Sequence, residues 1–481
     1  MNGMTIEVGE RVMIGGHSAV VRYVGEVSGH PGVWAGVEWD DPSRGKHNGF
    51  VNGVQYFRTS SARGGSLVSI QNVHRGVDLL TAIRNRYADS SADENVFVIN
   101  SKAVELFGMQ STSQKQSNVF ELRHIVLESC SVAGPPPETC PLFRRCVSLN
   151  LFNNLLQRWE DVRKILVYFP RLRELVLRKN RMDAAGVGEA WSEVKCLTDL
   201  ILSDCGLTSE SISNVLCYLP GLRTLYAVGN RFSHFFIPEV ADSLLNLDIR
   251  DNPIRCLSNI TGNLSKLEKL SVVNCDIERI VIGTGRFPSL TTLNIKDNVI
   301  SDWDSINRLQ LLPKLTVLYI NCENLQCIQG ISTHEVIIAK LPRLVDLNRF
   351  IISAIERHSA EVRFLDKYFC ADDSDKAEHV NDIERLKKIH GTITVDNSKN
   401  TGLNVVPLSI CYEDNTVEKR LPLAMTVQKL TEMVGRMFSV ETMQVRLGLD
   451  KGTHQILLEN PLRTLDFYSP EPGDILRLLA V

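Results

Sequence analysis

Hydrophobic and polar positions recur every 22 to 26 residues through the middle of the chain. Nine nine-residue repeats have apolar side chains at positions one, four and six, with Cys146 and Ala227 as weak members. A single repeat cannot bury its own apolar face, so the pattern predicts a stack of short strands around one shared core. The repeats begin at residues 122, 146, 172, 197, 222, 244, 267, 290 and 315.

Position nine of these repeats is Asn or Cys in eight of the nine cases. A buried polar side chain there is expected to hydrogen-bond the backbone of the neighbouring turn. The pattern resembles leucine-rich repeats over about 230 residues, and that resemblance implies an α/β solenoid. Because the last repeat has Glu323 at position nine, we expect the ladder to end there, followed by a helical cap in "LPRLVDLNRFIISAIERHSAEVRFLDKY".

The two ends of the chain have different patterns. Short β-type runs separated by glycines, such as "RVMIGGHSAVVRYVGEV" and "GVWAGVEW", predict a small curved sheet at the N-terminus. From Leu403 the runs predict strand, strand, helix, strand, strand, strand. This order resembles the ubiquitin-like β-grasp, and the absence of a terminal Gly-Gly favours a docking module over a conjugated one.

The sequence therefore predicts a multidomain protein. A small all-β domain (1–75) is followed by a linker (76–118) and by a repeat domain with a C-terminal cap (119–368). A second linker (369–402) leads to the ubiquitin-like domain (403–481). Residues 371–390 are highly charged, which leaves open a solvated helix, a linker or a specific docking motif.

The segment "GKHNG" is the strongest candidate site in the N-terminal domain. It places Lys46 between Gly45 and Gly49, near several aromatic residues. A bare β-turn is one reading; the other is a site for a peptide that ends in an aromatic residue and a carboxylate. The candidate site residues are Trp34, Trp39, Gly45, Lys46, His47, Asn48, Gly49, Tyr56 and Phe57.

The first 75 residues resemble a CAP-Gly domain, whose usual core is Gly-Lys-Asn-Asp-Gly. Gly45, Lys46 and Gly49 match this core, whereas His47 and Asn48 replace the usual Asn and Asp. The resemblance implies binding of C-terminal Glu-Glu-Tyr or Glu-Glu-Phe tails, notably that of α-tubulin.

The repeats also predict a concave protein-binding face, because position five of each strand should point away from the core. These positions are mostly apolar in the first five repeats and polar in the next three. The alternative is that residues 96–107 pack over this surface. The candidate partner-binding residues are Val126, Phe152, Val176, Ile201, Tyr226 and Val228.

Composition narrows the function class. The net charge of −3 gives no reason to expect bulk attraction to nucleic acid or membranes. Twelve scattered cysteines without a CxxC pair indicate neither a zinc site nor a disulfide framework. We find no P-loop, dinucleotide loop or nucleophile elbow, so we expect a non-enzyme without cofactors. The N-terminus lacks signal-peptide features, so we expect a cytoplasmic protein, and the CAP-Gly resemblance implies association with the cytoskeleton.

The order of the three domains resembles the tubulin-folding cofactor E family. That resemblance implies a chaperone that captures α-tubulin and works with cofactors D and C, and with B as a further candidate, in assembling or dismantling the α/β-tubulin heterodimer. The ubiquitin-like domain would recruit another component, with the proteasome or ubiquitin machinery as a candidate. Two alternatives remain open: a CAP-Gly microtubule-associated linker and a ubiquitin-pathway adaptor.

Overall fold

The chain forms two compact units, Met1–Ile393 and Thr394–Val481. The first holds the N-terminal domain and the repeat domain, and the second holds the ubiquitin-like domain. The computed structural model describes residues 6–87, 98–99, 102–103, 119–183, 194–369, 371–391, 405–413, 415–438, 440, 445–452 and 455–480.

The N-terminal domain is a five-stranded antiparallel sheet, as the glycine-punctuated pattern predicts. Its core is small and aliphatic, with Val12, Val21 and Val37 fully buried. A short hairpin with two residues in each strand follows the segment "GKHNG"; its strands are Phe50–Val51 and Val54–Gln55. In spatial order the five strands are Gly65–Ser69, His30–Trp39, His17–Val27, Arg11–Ile14 and His74–Arg75.

The repeats build one sheet in which nine three-residue strands lie parallel and in register. The middle residue of each strand is buried and its neighbours face outward, which confirms the predicted solenoid. The strands are His124–Val126, Ser148–Asn150, Glu174–Val176, Asp199–Ile201, Thr224–Tyr226, Asn246–Asp248, Lys269–Ser271, Thr292–Asn294 and Val317–Tyr319. Outside this sheet, Phe235–Ile237 pairs with Ile260–Gly262. The helices are Trp159–Val167, Ser209–Leu216, Trp303–Arg308 and Thr333–Lys340.

Position nine forms the hydrogen-bond ladder that the sequence predicts. The Asn180 amide donates to the Leu151 carbonyl at 2.7 Å, and its oxygen accepts from the Leu156 N–H at 3.2 Å. The Cys205 and Cys275 thiols also donate to position six of the preceding repeat, at 3.2 and 3.4 Å. Burial raises the pKa of both thiols to about 12, so they stay protonated and serve as donors.

The N-terminal end of the repeat sheet is closed by residues that the sequence analysis assigns to a linker. Val77–Asp78 pairs with Val132–Gly134, and the helix Leu79–Tyr87 buries its apolar side in the repeat core. The Tyr87 hydroxyl accepts from the Val126 N–H at 2.9 Å and donates to its carbonyl at 3.3 Å. Residues 77–87 therefore cap the sheet edge and protect it from further strand pairing.

At the other end the sheet continues past Glu323, where the sequence predicts the ladder to stop. Two short strands follow, Asp346–Leu347 and Phe350–Ile351, and the second is antiparallel to the first. Asn348 donates to the Ile320 carbonyl and accepts from its N–H, both at 2.9 Å. Asn348 thus makes for the last full repeat the side-chain-to-backbone hydrogen bonds that position nine makes for the other repeats. The repeat spacing does not predict this residue.

The charged segment 371–390 is part of the repeat domain's cap and differs from the predicted linker in this respect. The helix Val380–His390, called the terminal helix below, buries Ile383 and Leu386 against the cap. Its Asp382 carboxylate lies 3.0 Å from the ammonium of Lys340, a lysine with 0% exposure. The terminal helix therefore replaces solvent over an otherwise open end of the core. The other helices of the cap are Ala354–Phe369 and Asp373–Lys376.

A buried arginine joins the N-terminal domain to the repeat domain. The Arg11 side chain is 1% exposed and forms a two-point ion pair with Asp40, at 2.6 and 3.1 Å. The same guanidinium donates to the Asn154 carbonyl at 3.4 Å, and Arg181 reaches Asp40 from the repeat side at 3.4 Å. The Arg11–Asp40 pair lies within the N-terminal domain, so the contacts that cross to the repeat domain are the Arg11 hydrogen bond to Asn154 and the Arg181–Asp40 ion pair.

The second compact unit has the predicted β-grasp order of strand, strand, helix, strand, strand, strand. Its helix, Val427–Phe438, packs Leu430 and Val434 on the sheet. The two central strands, Val405–Tyr412 and Ile475–Ala480, run parallel, as in ubiquitin-like folds. In spatial order the strands are Asn415–Pro422, Val405–Tyr412, Ile475–Ala480, Val445–Asp450 and Gln455–Leu457.

Candidate functional site

The recognition loop, Gly45–Gly49, is held by backbone hydrogen bonds at its base. The Lys46 and His47 N–H groups donate to the Gly65 carbonyl at 2.7 and 3.1 Å, and the Gly65 N–H donates to the His47 carbonyl at 2.8 Å. Both flanking glycines are required: a Cβ on Gly45 would overlap the Arg63 carbonyl, and Gly49 has a φ of +96°. The loop therefore displays the exposed Lys46 side chain on a fixed backbone.

His47 serves as a neutral acceptor inside this loop. Its Nδ1 accepts from the Gly49 N–H at 3.0 Å, which places the ring proton on Nε2. The ring is half-buried, and its centroid lies 5.8 Å from that of Phe57. Burial, and to a smaller extent the charge of Lys46, lowers the pKa of His47. An imidazole nitrogen here makes the turn bond that an Asn side-chain oxygen can make.

Asn48 completes the loop with a second side-chain turn. Its Oδ1 accepts from the Phe50 N–H at 3.2 Å, and its carbonyl accepts from the Gln55 amide at 3.2 Å. The side chain is uncharged and exposed. Lys46 is thus the single formally charged residue of the recognition loop at neutral pH.

The predicted aromatic residues fall into two groups. Trp39 and Phe57 are 7% and 6% exposed, and the Trp39 indole donates to Ser66 at 3.0 Å. They support the loop from the core, so the prediction that they line a groove needs correction. Trp34 and Tyr56 are half-buried and remain accessible.

The Tyr56 hydroxyl has a donor available to a ligand. It accepts from the Ser28 N–H at 2.9 Å, and its ring meets that of Tyr23 edge-on at 5.3 Å. Its own proton makes no hydrogen bond within the part of the chain that the structure describes. Tyr56 is therefore placed to donate to an acceptor group from solvent.

Sequence reasoning missed Phe50, which is 53% exposed and directly follows the recognition loop. Single exposed apolar side chains are common on protein surfaces, so Phe50 becomes a candidate through its position next to the recognition loop. The segment "GFVNGV" could have indicated this exposure. Phe50 lies in a short two-stranded hairpin that has no core of its own in which to bury the ring.

The concave face brings the apolar stripe together on adjacent strands. Val126, Val176 and Ile201 are half-buried, and Tyr226 is 41% exposed. Phe152 and Val228 are half-buried at position seven of their repeats. The alternative cover, residues 96–107, lies outside the described residues except for the pairing of 98–99 with 102–103.

Two classes of site are not found among the residues that the structure describes. No group of three or more His, Cys, Asp or Glu side chains is arranged to hold a metal ion. No helix in the described ranges is both long and apolar enough to span a membrane.

Comparison with known proteins identifies the family of the N-terminal domain and relatives that match nearly the whole chain. The CAP-Gly domain family model matches residues 8–73. Tubulin-specific chaperone E from Danio rerio is 31% identical, covering 97% of this chain and 98% of that protein, and its Homo sapiens counterpart is 29% identical, covering 98% of each. The solution structure of the C-terminal ubiquitin-like domain of mouse tubulin-specific chaperone E is 32% identical, with a TM-score of 0.16, and covers 18% of this chain and 94% of that one. Nearly full-length similarity above 30% identity shows that the chain belongs to the tubulin-specific chaperone E family.

Proposed function

We propose that this protein is a tubulin-folding chaperone that captures α-tubulin at two places. The N-terminal domain holds the C-terminal tail, and the concave face of the repeats holds the folded body. Family membership supports the general role. The observation that carries tail binding is the exposed Lys46 on a loop whose backbone is fixed by Gly65.

In this proposal, Lys46 donates charge-assisted hydrogen bonds to the carboxylates of the tail. The terminal aromatic ring lies against Phe50 and Trp34, and the Tyr56 hydroxyl donates to a carboxylate. Asn48 stands where the CAP-Gly family usually has an aspartate. An uncharged side chain there removes a repulsion that an acidic tail would otherwise meet, so His47 and Asn48 are compatible with tail binding.

The body of α-tubulin is proposed to dock on the apolar stripe of the first five repeats. Val176, Ile201 and Tyr226 lie on three neighbouring strands, so their side chains form one continuous surface. A bound tail raises the local concentration of the body near this surface, so two modest contacts give one tight complex. Both sites belong to one compact unit, and Arg11 and Arg181 make contacts between the two domains, which favours this coupling.

The remaining roles are proposed by family resemblance. The chain acts without catalysis, together with cofactors D and C and with B as a further candidate, in assembly and dissociation of the heterodimer. The ubiquitin-like domain recruits another component, with proteasome or ubiquitin machinery as the candidate class.

The proposal is tested by mixing the purified protein with tubulin heterodimer, with and without cofactor D, and by identifying the species that elute together in size exclusion. A chaperone gives a soluble complex that contains α-tubulin. A microtubule-associated linker would instead co-sediment with polymerised microtubules and leave them intact. Failure to bind either form of tubulin, while the protein stays folded, would leave the ubiquitin-pathway adaptor as the better account.

A further inference from the structure

Three cations lie close together in the sequence of the third repeat, and one of them, Arg181, contacts the N-terminal domain. Arg181 is 3.4 Å from Asp40, which immediately precedes the turn leading to the recognition loop. Arg178 and Lys179 both lie over the ring of Phe152, at 5.9 and 5.7 Å from its centroid. Arg178, Lys179 and Arg181 are called the basic patch below.

The basic patch has more positive charge than its neighbours neutralise. Asp40 is shared between Arg181 and the buried Arg11, so one carboxylate faces two guanidinium groups. Asp204 pairs with Arg178 at 3.1 Å. Lys179 is exposed and has no ion pair among the described residues. Four positive charges thus face two negative ones, and an anionic ligand would be attracted here.

The strand Gly65–Ser69 lies between the recognition loop and the strand that leads to Asp40. Gly65 pairs with Glu38 on one side and with His47 on the other. Two strand spacings, roughly 10 Å, therefore separate the backbone near Lys46 from the end of the strand that carries Asp40. An extended peptide advances about 3.3 Å per residue, so about three residues would cover this distance.

Asp41 is an acidic residue between the recognition loop and Asp40, and it has no ion pair with an arginine of the repeat domain among the described residues. Asp41 is exposed, but its carboxylate accepts from the Ser43 N–H at 3.0 Å and lies near Arg44. Its charge is therefore partly offset within its own turn. The path from the recognition loop to the repeats keeps a net positive character.

We propose that the basic patch extends the tail-binding site and binds acidic side chains that lie upstream of the C-terminal aromatic residue of a bound peptide. This inference rests on the proposed tail binding by the recognition loop. The ligand class is an extended, glutamate-rich peptide, and the Phe152 ring keeps Arg178 and Lys179 extended toward it. The N-terminal domain would bind the last few residues of the peptide, and the repeat domain would bind the acidic residues before them.

The inference is tested on the full-length chain with three synthetic peptides that share a Glu-Glu-Tyr terminus. The first is acetylated Glu-Glu-Tyr, and the second adds about nine upstream residues that include several glutamates. The third replaces those upstream glutamates with glutamine. The wild type should bind the second peptide roughly 2- to 30-fold more tightly than the first or third at low salt, the range for two exposed ion pairs. This advantage should shrink as salt rises.

The key variant is Lys179→Asn, because Lys179 has a φ of +59° and Asn153 and Asn274 adopt the same conformation at the same repeat position. Lys179→Asn, and more fully Lys179→Asn with Arg181→Gln, should remove the advantage of the second peptide and leave the first unchanged. Lys179 takes no part in the contacts between the two domains. The single variant Lys179→Asn therefore still tests the inference if Arg181→Gln disturbs those contacts. The matched control is Lys296→Ala, five repeats and roughly 24 Å away, which should change neither affinity.

The outcomes separate the two claims. If the wild type does not bind the first peptide, the proposed tail site fails and the extension fails with it. If the first peptide binds but the upstream glutamates add nothing, or if the variants keep the full advantage, the extension is overturned while tail binding stands. A thermal midpoint equal to that of the wild type shows that each variant is folded.

Discussion

At the residue scale, the side chain that is proposed to bind the tail, Lys46, differs from the groups that stabilise the recognition loop. The loop is held by Gly65 and by the His47 ring, while the Lys46 side chain makes no hydrogen bond to any residue that the structure describes. Substitutions of Lys46 should therefore affect binding, and substitutions of His47 should affect the loop itself.

Lys46→Ala should weaken binding of an acidic, aromatic-terminated tail peptide by about 1–3 kcal/mol, the range for a lost hydrogen bond to a charged group. The thermal midpoint should barely change, because Lys46 is exposed. Isothermal titration of the full-length chain measures the affinity, and Lys314→Ala, another exposed lysine, is the control. An unchanged affinity at moderate salt would remove Lys46 from the site.

The depressed pKa of His47 makes the recognition loop sensitive to acid. In the folded state the ring resists protonation more than in the unfolded state, whose pKa is about 6.5. The stability of the loop should therefore be full above that value and should fall as pH drops below it. His47→Asn should remove this dependence. Hydrogen exchange of the Gly49 amide at pH 5.5 and 7.5, corrected for intrinsic rates, checks it, and equal pH dependence in both proteins would contradict it.

At the element scale, each repeat uses one side chain to build the core ladder and others to form a surface. Leu200, Leu202 and Leu225 are buried, whereas Ile201 and Tyr226 point away from the core of the same strands. The apolar stripe can therefore be altered without breaking the stack.

The double variant Ile201→Asp with Tyr226→Asp should abolish capture of the α-tubulin body and leave tail-peptide affinity unchanged. Two charges on the stripe would have to lose water in the complex, which is costly. The control Ser271→Asp with Asn294→Asp makes the same change at position five in the polar half of the face. Affinities for tail-less tubulin and for the tail peptide are measured on both. If body capture survives in the folded double variant, the docking surface lies elsewhere.

The terminal helix depends on a buried ion pair. The Lys340 ammonium donates to Asp382 at 3.0 Å, to Asn307 at 2.8 Å and to the Glu378 carbonyl at 3.0 Å. Lys340→Met leaves the buried Asp382 with Arg385, 3.1 Å away, as its remaining ion-pair partner, and should destabilise the terminal helix by up to about 3–5 kcal/mol.

The matched variant, Lys340→Met with Asp382→Leu, should recover part of this loss, because the buried carboxylate is removed together with the ammonium, while Arg385, the other partner of Asp382, is partly exposed to solvent. Urea unfolding followed by hydrogen exchange in residues 380–390 gives the comparison. A single variant as stable as the wild type would show that the pair does not hold the helix.

At the scale of the whole molecule, the sequence predicts what is periodic and local. The repeat spacing identified the solenoid, and the glycine and strand patterns identified the two flanking β domains. Long-range contacts carry no such signal: nothing around Arg11 in the sequence indicates that it meets Asp40 and Asn154. The terminal helix was assigned to a linker because its many charges suggest solvation, and the buried partner of Asp382 lies 42 residues away.

The candidate site shows the same limit. The glycines and Lys46 could be placed on a loop from their order alone, since Gly45 and Gly49 serve local geometry. The burial of Trp39 and Phe57 could not be predicted from the sequence, because aromatic residues occupy both cores and grooves. Which of the two environments they occupy depends on the neighbouring strands.

The central claim is that one compact unit holds both the tail and the body of α-tubulin. The most direct measurement is the affinity of the full-length protein for intact tubulin heterodimer and for heterodimer whose tails have been removed by protease, in the wild type and in Lys46→Ala. The account predicts that removal of the tails and Lys46→Ala each weaken binding, and that combining them weakens it no further. Equal affinity of the wild type for intact and tail-less tubulin, or a full additional loss on combination, would contradict it.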